Sequence, residues 1–230
     1  PTWEQIHGIG AQPREGGPPW WQARREDLIR IARAEGCAYV YDKASLEASA
    51  RQLLGLGGVE RIFYAVKANP HPEILRLYAS MGLDFECVSQ GECERVLEVV
   101  PGIEPSRILF TPNFAPRSEY EWALEHGVHL TLDNIYALRH WPEIFRGRDV
   151  LVRIDTGFGR GHHDHVRTAG VHAKFGIPLF EMDEVDRLVK AAGCRVVGLH
   201  AHTGSGVFDV RNWQQVGQLL STGQTRAALA

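Results

Sequence analysis

The stretch Arg61-Ile-Phe-Tyr-Ala-Val-Lys67 is a short run of apolar and β-forming residues that ends in a single lysine. After it, residues 72–81 carry apolar side chains at helical spacing, and residues 84–88 form another short β-rich run. Outward from this stretch, similar runs alternate with amphipathic segments along most of the chain. Such alternation is typical of a parallel sheet with helices packed outside it, so the sequence predicts an α/β fold.

Polar residues follow the predicted strands at similar positions. Besides the run before Lys67, short β-rich runs predict strands over 38–41, 84–88, 107–110, 129–132, 150–154 and 195–199. Six polar residues lie at or near the strand ends, namely Lys67, Glu86, Asn113, Asp133, Arg153 and His202. In a (β/α)8 TIM-type barrel the chemistry is carried at the C-terminal ends of many strands, so this distribution favours a barrel.

A doubly wound parallel sheet would fit the same alternation of strands and helices. Proteins of that class bind ligands at one crevice, next to a Gly-rich turn after the first strand. Here the first predicted strand is followed by Asp42-Lys-Ala-Ser45, which contains no glycine. The barrel is therefore the preferred architecture.

Composition bounds the size and class of the protein. The chain has 230 residues, of which 44% are hydrophobic, enough for one sizeable core. The net charge is −3 and no long charged run is present, so nucleic acid and membrane surfaces are not expected partners. The N-terminal residues show no signal-peptide pattern, and the four cysteines form no Cys-x-x-Cys pair. We therefore expect a cytoplasmic protein with reduced thiols.

Changes in periodicity along the chain predict the domain limits. Residues 1–36 read as a Gly/Pro-rich arm with a leading helix, residues 37–220 as the β/α barrel and residues 221–230 as a tail.

Three positions have the residue types that begin helices. Ser89 with Glu92, and Ser118 with Glu121, have the spacing of capping boxes. Asp133 follows a predicted strand and is interpreted as the N-cap of the next helix.

Lys67 is the first candidate for chemistry. An amine at the end of an apolar strand is neutral more often than one in water, because burial disfavours the charged form. A neutral amine can attack an aldehyde and form a Schiff base. A lysine at a strand end can equally extend its ammonium group into water and have no chemical role. The motifs around Lys67 decide between these interpretations.

Tyr64-Ala-Val-Lys-Ala-Asn69 resembles the cofactor-lysine motif of the fold-type III pyridoxal-phosphate decarboxylases that act on diaminopimelate, ornithine or arginine. Each such motif is weak alone, whereas several in the family's order are specific. The likeness runs from about Tyr39 to Phe208 and is closest to the diaminopimelate decarboxylases. The further motifs, in order, are Phe85-Glu-Cys-Val-Ser89 with Gly91-Glu92, Leu151-Val-Arg-Ile154, Lys174-Phe-Gly176 and His200-Ala-His-Thr-Gly-Ser-Gly206.

The resemblance implies pyridoxal 5'-phosphate as the cofactor and gives three residues of this chain a direct contact with it. Lys67 would form the Schiff base with its aldehyde, His202 would stack on its pyridine ring, and Ser205 would hydrogen-bond its phosphate. Lys67 and His202 are therefore the expected catalytic residues, and no metal is expected.

Three further residues are expected beside the cofactor from the same resemblance. Arg153 and Lys174 would belong to the polar network next to the ring. Glu86 stands where the family usually has aspartate, which keeps the charge and adds one methylene to its reach. A contact between Glu86 and Lys174 is expected.

The resemblance also implies that the family's barrel is larger than the one predicted here. About six of the eight strands of such a barrel can be counted after residues 38–41. The family adds two strands, a Gly-rich phosphate loop, an acid for the pyridine nitrogen, and a trailing β-domain that reaches the partner subunit's site. We therefore expect an N-terminal part of a homodimeric parent, inactive alone. The Trp20-Trp21 region resembles the junction in proteins that fuse an aspartate kinase to a diaminopimelate decarboxylase.

The activity expected from the resemblance is the decarboxylation of meso-diaminopimelate to L-lysine, in lysine biosynthesis. A decarboxylase of ornithine, arginine or a related polyamine precursor is an alternative, as is a non-catalytic pyridoxal-phosphate-binding module. A barrel hydrolase is a further alternative, because His162-His-Asp-His165 and His200-Ala-His202 have metal-ligand spacings. That interpretation leaves the motif around Lys67 unexplained.

Overall fold

The computed structural model describes residues 19–157, 174–204 and 210–221. The chain divides into two compact units, of which the first ends at Leu56 and the second begins at Gly57. The described part of the first unit contains three helices, α1 (Trp20–Ala23), α2 (Arg25–Glu35) and α3 (Lys43–Leu54).

The first unit departs from the sequence prediction at residues 38–41. These residues were expected to form a strand, but no described strand pairs with them, and Tyr39 is 93% exposed. A strand is stabilised by hydrogen bonds to a neighbour, and β-forming composition does not supply that neighbour. The helix α3 follows, and the Asp42 carboxylate caps it by accepting a hydrogen bond from the Ser45 amide at 2.8 Å.

The second unit contains a parallel sheet with helices between its strands. Within the described residues of this unit, short 3-10 turns also occur over Val66–Ala68, Pro105–Arg107, Pro142–Phe145 and Leu179–Glu181. The helices are α4 (Pro72–Ser80), α5 (Gln90–Val99), α6 (Arg117–His126), α7 (Tyr136–His140), α8 (Met182–Ala192) and α9 (Val210–Leu220). The strands are β1 (Phe63–Ala65), β2 (Asp84–Cys87), β3 (Ile108–Phe110), β4 (His129–Leu132), β5 (Asp149–Asp155), β6 (Ile177–Pro178) and β7 (Arg195–His200).

The order of the strands is that of a β/α barrel that is not closed by the described residues. Strands β1 to β5 lie side by side in chain order, and every pairing is parallel. Strand β5 then pairs with two later strands, with β7 along residues 149–153 and with β6 at Ile154 and Asp155. The alternating α/β architecture is confirmed, and β6 adds a strand that the sequence count did not include.

The core lies between the sheet and its helices. The large side chains that are fully buried come mainly from the strands, among them Phe85, Ile108, Phe110, Leu130, Leu132 and Ile154. Burying one such side chain stabilises a fold by about 1.5–3 kcal/mol, so the strands contribute much of the driving force. Helix α8 packs its apolar side through Val185, Leu188 and Val189.

The two predicted capping boxes had different outcomes. Ser89 does cap α5, because its side chain accepts from the Glu92 amide at 3.3 Å. Ser118 does not cap α6, which begins one residue earlier, at Arg117. Glu121 is engaged there by the Arg117 guanidinium at 2.7 Å instead, so that prediction was wrong.

An ion-pair network joins strands at the N-terminal edge of the sheet. Asp84, at the start of β2, is 6% exposed and accepts from Arg61 Nε at 2.6 Å and from Arg107 Nε at 2.9 Å. Arg61 lies before β1 and Arg107 before β3, so one carboxylate links three neighbouring strands. This edge lies opposite the one where the polar strand-end residues gather.

No helix among the described residues is both long enough and apolar enough to cross a membrane.

Candidate active site

Lys67 is placed by the turn that follows β1. The turn is fixed by Tyr64, whose hydroxyl donates to the Asn69 carbonyl at 3.2 Å and whose ring packs edge-on against Tyr78 at 4.7 Å. The Lys67 side chain is exposed, and among the described residues it has no ion-pair partner. The amine is therefore accessible to an incoming ligand, although it is not buried as the apolar strand suggested.

Arg153 is the buried cation of the site. It lies on β5 with 8% of its surface exposed, and its Nη1 contacts Asn113 Oδ1 and Asp133 Oδ1, each at 3.2 Å. Burial lowers the pKa of Arg153, while the negative charges of Asp133 and Glu86 oppose that shift. The three strand ends that carry Asn113, Asp133 and Arg153 thus meet, as expected for parallel strands.

Asp133 proves to be a site residue, so its interpretation as a helix cap was wrong. Helix α7 begins only at Tyr136, and its first turn is supported by Asn134, whose Oδ1 accepts from the Tyr136 amide at 2.9 Å. Asp133 is 2% exposed and accepts from Arg153 and from the Gly176 amide, the latter at 3.3 Å. Burial raises the pKa of Asp133 above its usual value, although both donors act in the opposite direction.

The segment before β6 covers one side of Arg153. The Phe175 ring lies 5.1 Å from the Arg153 guanidinium carbon and 5.2 Å from Lys174 Nζ. Both cations face the same ring, an arrangement that favours positive charge through the ring quadrupole. Lys174 itself is exposed.

Glu86 lies in β2 but does not meet Lys174. Its carboxylate accepts a hydrogen bond from the Thr111 hydroxyl, which comes from the residue just after β3. Among the described residues no ion pair joins Glu86 to Lys174, so the expected contact is not formed. The physical reason is that a neighbouring strand offers Glu86 a closer donor, while the Lys174 ammonium remains in water.

Two histidines complete the described part of the site, and both are half-buried. His200 ends β7 in register with Arg153 on β5, and His202 lies two residues further on. Burial, followed by the charges of Arg153, His202 and Lys67, lowers the pKa of His200 to about 4. Burial and the charges of Arg153 and Lys67 also lower the pKa of His202. Both imidazoles are therefore held in the neutral form at neutral pH.

The loop that carries His202 is anchored from behind. The Asn212 amide, which is 1% exposed on α9, donates to the Thr203 carbonyl at 3.2 Å. This bond fixes the chain directly after His202 against the first turn of α9.

Two sequence predictions fall outside the part of the chain that the structure describes. Ser205, the expected phosphate contact, is one, and the segment His162-His-Asp-His165 is the other. Within the described ranges, no group of three or more His, Cys, Asp or Glu side chains could hold a metal ion.

Three residues that were not predicted as part of the site share one signal. Asp133, Thr111 and His200 are polar residues at the ends of the strands β4, β3 and β7, and each is in contact with, or in register with, Arg153 or Glu86. A buried polar residue at a strand end needs a partner, and the neighbouring strand is the nearest source of one. Register between strands, which a single sequence does not contain, identifies those partners.

The described site suits an anionic cofactor that carries an aldehyde. The charges of Lys67 and Arg153 both act on the two imidazoles, so an amine, a guanidinium and two imidazoles lie near one another at this edge of the sheet. The exposed primary amine can condense with an aldehyde, while the two cations can attract a phosphate or a phenolate. Pyridoxal phosphate has these groups, so the residues present fit it.

Comparison with known proteins agrees with this chemistry. Residues 43–222 match the model of the family described as pyridoxal-dependent decarboxylase, pyridoxal binding domain. Diaminopimelate decarboxylase from Methanothermobacter thermautotrophicus is 34% identical over 189 residues, which are 80% of this chain and 44% of that protein. A chloroplastic ornithine decarboxylase from Nicotiana glauca is 36% identical over 154 residues, which are 65% of this chain and 33% of that protein.

A solved structure shows the same fold. The chain superposes with a TM-score of 0.76 on the crystal structure of diaminopimelate decarboxylase from Helicobacter pylori in complex with L-lysine. The superposition covers 89% of this chain and 54% of that one, at 24% identity, and so supports the barrel architecture.

The chain spans less than half the length of the curated relatives that it matches. The family match nevertheless covers all of the described strands and all of the site residues described in this subsection. The cofactor expected from the sequence is thereby confirmed at the level of the family. The chain belongs to the pyridoxal-dependent decarboxylase family and carries that family's pyridoxal-binding domain.

Proposed function

We propose that this chain is the cofactor-binding part of an amino-acid decarboxylase, with meso-diaminopimelate as substrate and L-lysine and carbon dioxide as products. The observation that carries the proposal is the gathering of Lys67, Arg153 and two neutral imidazoles at one edge of the sheet. The relatives named diaminopimelate decarboxylase support the choice of substrate.

Each residue of the proposed cofactor site would have its own role. Pyridoxal phosphate, when bound, supplies an aldehyde for amines and a ring that takes up the electrons left by departing carbon dioxide. Lys67 would bind the aldehyde carbon through its amine, and the amine of the substrate would take the place of the Lys67 amine. His202, being neutral, would pack against the ring without adding charge, and Arg153 would attract the anionic groups. Ser205 would hydrogen-bond the phosphate, and Glu86 and Lys174 would lie in the surrounding polar network.

The cofactor assignment is tested by absorption and by chemical trapping. We expect the chain to change the absorption band of added pyridoxal phosphate, and borohydride reduction to fix the label on the peptide that contains Lys67. Lys67→Ala should abolish both signals. Lys190→Ala is the matched control, because Lys190 is an exposed lysine on α8 whose ion-pair partner among the described residues is Asp186. Label spread over several lysines would reject the assignment.

A substrate assay separates the enzyme alternatives. Ornithine decarboxylation is the second candidate, favoured by the 36% identity to the ornithine decarboxylase from Nicotiana glauca. Carbon dioxide release by the full-length protein from meso-diaminopimelate, ornithine and arginine, compared as kcat/KM, would decide among the substrates. Cofactor binding with no release from any of the three would instead favour a non-catalytic binding module.

We further propose that the full-length protein is a homodimer that acts in the cytoplasm on a small amino acid. The basis is the family resemblance and the modest net charge of −3, which gives no sign of a nucleic-acid partner. Sedimentation of the full-length protein with bound cofactor would measure the oligomeric state, and a monomer would contradict the proposal.

A further inference from the structure

We propose that Asp133 is a positioning residue of the cofactor site, which acts through Arg153 by orienting its guanidinium group and balancing its charge. This inference rests on the proposed function, since it concerns the site built around Lys67.

The geometry shows a carboxylate held from two directions. Asp133 Oδ1 meets Arg153 Nη1 at 3.2 Å and the Gly176 amide nitrogen at 3.3 Å. Asp133 is 2% exposed, and its Oδ2 has no hydrogen-bond partner in the described part of the chain. A buried carboxylate with one unsatisfied oxygen destabilises the fold, so we infer that Asp133 has a role beyond packing.

The Gly176 contact depends on the absence of a side chain. A Cβ at this position would lie 2.7 Å from the Asp155 amide nitrogen and 2.9 Å from the Ile154 carbonyl carbon. The backbone at Gly176 therefore approaches β5 more closely than any other residue type allows, and this approach brings its N–H to Asp133. Asp133 is thus fixed by the backbone on one side and fixes Arg153 on the other.

The charges around Arg153 show why a counter-ion matters. Positive groups near it are Lys67, His200 and His202 when protonated, and the negative groups that act on it are Asp133, Glu86 and Asp155. Of these carboxylates, only Asp133 forms an ion pair with Arg153 among the described residues, because Glu86 is engaged by Thr111. Without the charge of Asp133, Glu86 and Asp155 would remain to offset the buried guanidinium, so its positive charge would act more strongly on the nearby imidazoles.

The expected effect is a change in proton affinity at the site. A less compensated cation disfavours a second positive charge nearby, so protonated groups close to Arg153, among them His202 and the group that sets the absorption of a bound cofactor, would release their protons at lower pH. Asp133→Asn keeps the size of the side chain and one oxygen for Arg153 and Gly176, and replaces the charged carboxylate by a neutral amide. If Asp133 had only a structural role, Asp133→Asn would lower the free energy of unfolding but would leave the midpoint of the pH titration unchanged.

The test is a pH titration of the absorption band of pyridoxal phosphate bound to the chain. For Asp133→Asn we expect the midpoint to fall by about one pH unit, as for loss of a charge several ångströms away at a partly buried site. Asp133→Glu should recover most of that shift. Asp84→Asn is the matched control, because it removes an equally buried, arginine-paired carboxylate from the opposite edge of the sheet.

The outcomes separate this inference from the proposed function. An unchanged midpoint in Asp133→Asn, or an equal shift in Asp84→Asn, would overturn the positioning role while leaving the cofactor assignment intact. If the unmodified chain shows no band that depends on Lys67, the proposed function fails. The positioning role is then judged from the NMR titration of His202 without cofactor. Asp133→Asn should lower that midpoint too, and no change would reject the role.

Discussion

Gly176 links the loop before β6 to β5 at a distance that only glycine permits. Its φ of +83° is one that other residues rarely adopt, and an added Cβ would meet β5 backbone atoms at 2.7 and 2.9 Å. The same residue holds Asp133 through its amide. A substitution here should therefore disturb both packing and the site.

We expect Gly176→Ala to lower the free energy of unfolding by about 2–4 kcal/mol, since left-handed strain and overpacking add. Gly102→Ala is the matched control, because Gly102 has a φ of +79° but nothing within 4 Å of its Cβ position. That variant should lose only about 1–2 kcal/mol, for the strain alone. Urea unfolding of both variants measures the difference. Equal losses would mean that the loop moves freely away from β5.

His200 should make the stability of the protein depend on pH. Its pKa is lowered from 6.5 to about 4 in the fold, so in this interval the unfolded chain binds the proton more readily than the folded chain. The free energy of unfolding should therefore fall as the pH falls from 6.5 towards 4. His200→Gln should reduce the difference between urea unfolding at pH 7 and at pH 5. His140→Gln, on the exposed surface of α7, should leave that difference unchanged. An unaltered slope in His200→Gln would show that His200 is not responsible.

For individual residues, the sequence predicted the residue types of the site better than it predicted the side chains that they contact. Lys67, Arg153 and His202 were predicted as site residues because their motifs resemble those of a known family. Asp133 was taken for a helix cap because an aspartate after a strand has the same appearance in both roles. The partner of Glu86 was also missed, since Thr111 becomes its neighbour only through the register of β2 and β3.

The elements of the second unit are tied together at the N-terminal edge by Asp84. Its carboxylate meets Arg61 and Arg107, whose side chains are 40% and 29% exposed. Removing one partner of a buried pair leaves uncompensated charge, which is the larger part of the cost.

We expect Asp84→Asn to lower the free energy of unfolding by about 3 kcal/mol, the low end for buried pairs, because both arginines keep some contact with water. Asp186→Asn is the surface control. It breaks the 2.8 Å pair with Lys190 on α8, whose side chains are 37% and 70% exposed. It should cost no more than about 0.5 kcal/mol. A loss in Asp84→Asn as small as in the control would show that the network does not join the strands energetically.

Helices and strands with a clear period were predictable, and elements defined by contact were not. Helix α8 buries residues at the spacing that the sequence displayed. Residues 38–41 have β-forming composition but no partner strand, whereas β6 has only two residues and exists because β5 offers it a partner. Length and composition carry little information about such short or unpaired segments.

The molecule as a whole presents strands with unpaired edges in its described part. The order of strands ends at β1 on one side and at β6 on the other, with β7 beside β5. Unpaired strand edges offer hydrogen-bonding groups to other chains. The part of the chain that matches its curated relatives also spans less than half of their length.

We therefore expect the 230-residue chain alone to self-associate and to release negligible carbon dioxide from meso-diaminopimelate with added pyridoxal phosphate. Light scattering during gel filtration measures the first property, and a carbon dioxide assay the second. The decarboxylase from Methanothermobacter thermautotrophicus serves as the positive control. A monomer with turnover comparable to that enzyme would show that the described residues need no further strands.

The placement of β7 has a consequence for the order of folding. Asp149 and Arg195, which pair across β5 and β7, are 46 residues apart, whereas β1 to β5 pair through single helical connections. Closing a loop of about twice the length costs roughly 0.6 kcal/mol more in chain entropy, and pairings distant in sequence form slowly. The first five strands should therefore assemble before β7 docks. Lys67 and Arg153 would then be in place before His200 and His202 reach the site. In a refolding experiment, the capture of pyridoxal phosphate would then report the docking of β7 and lag behind the burial of the core.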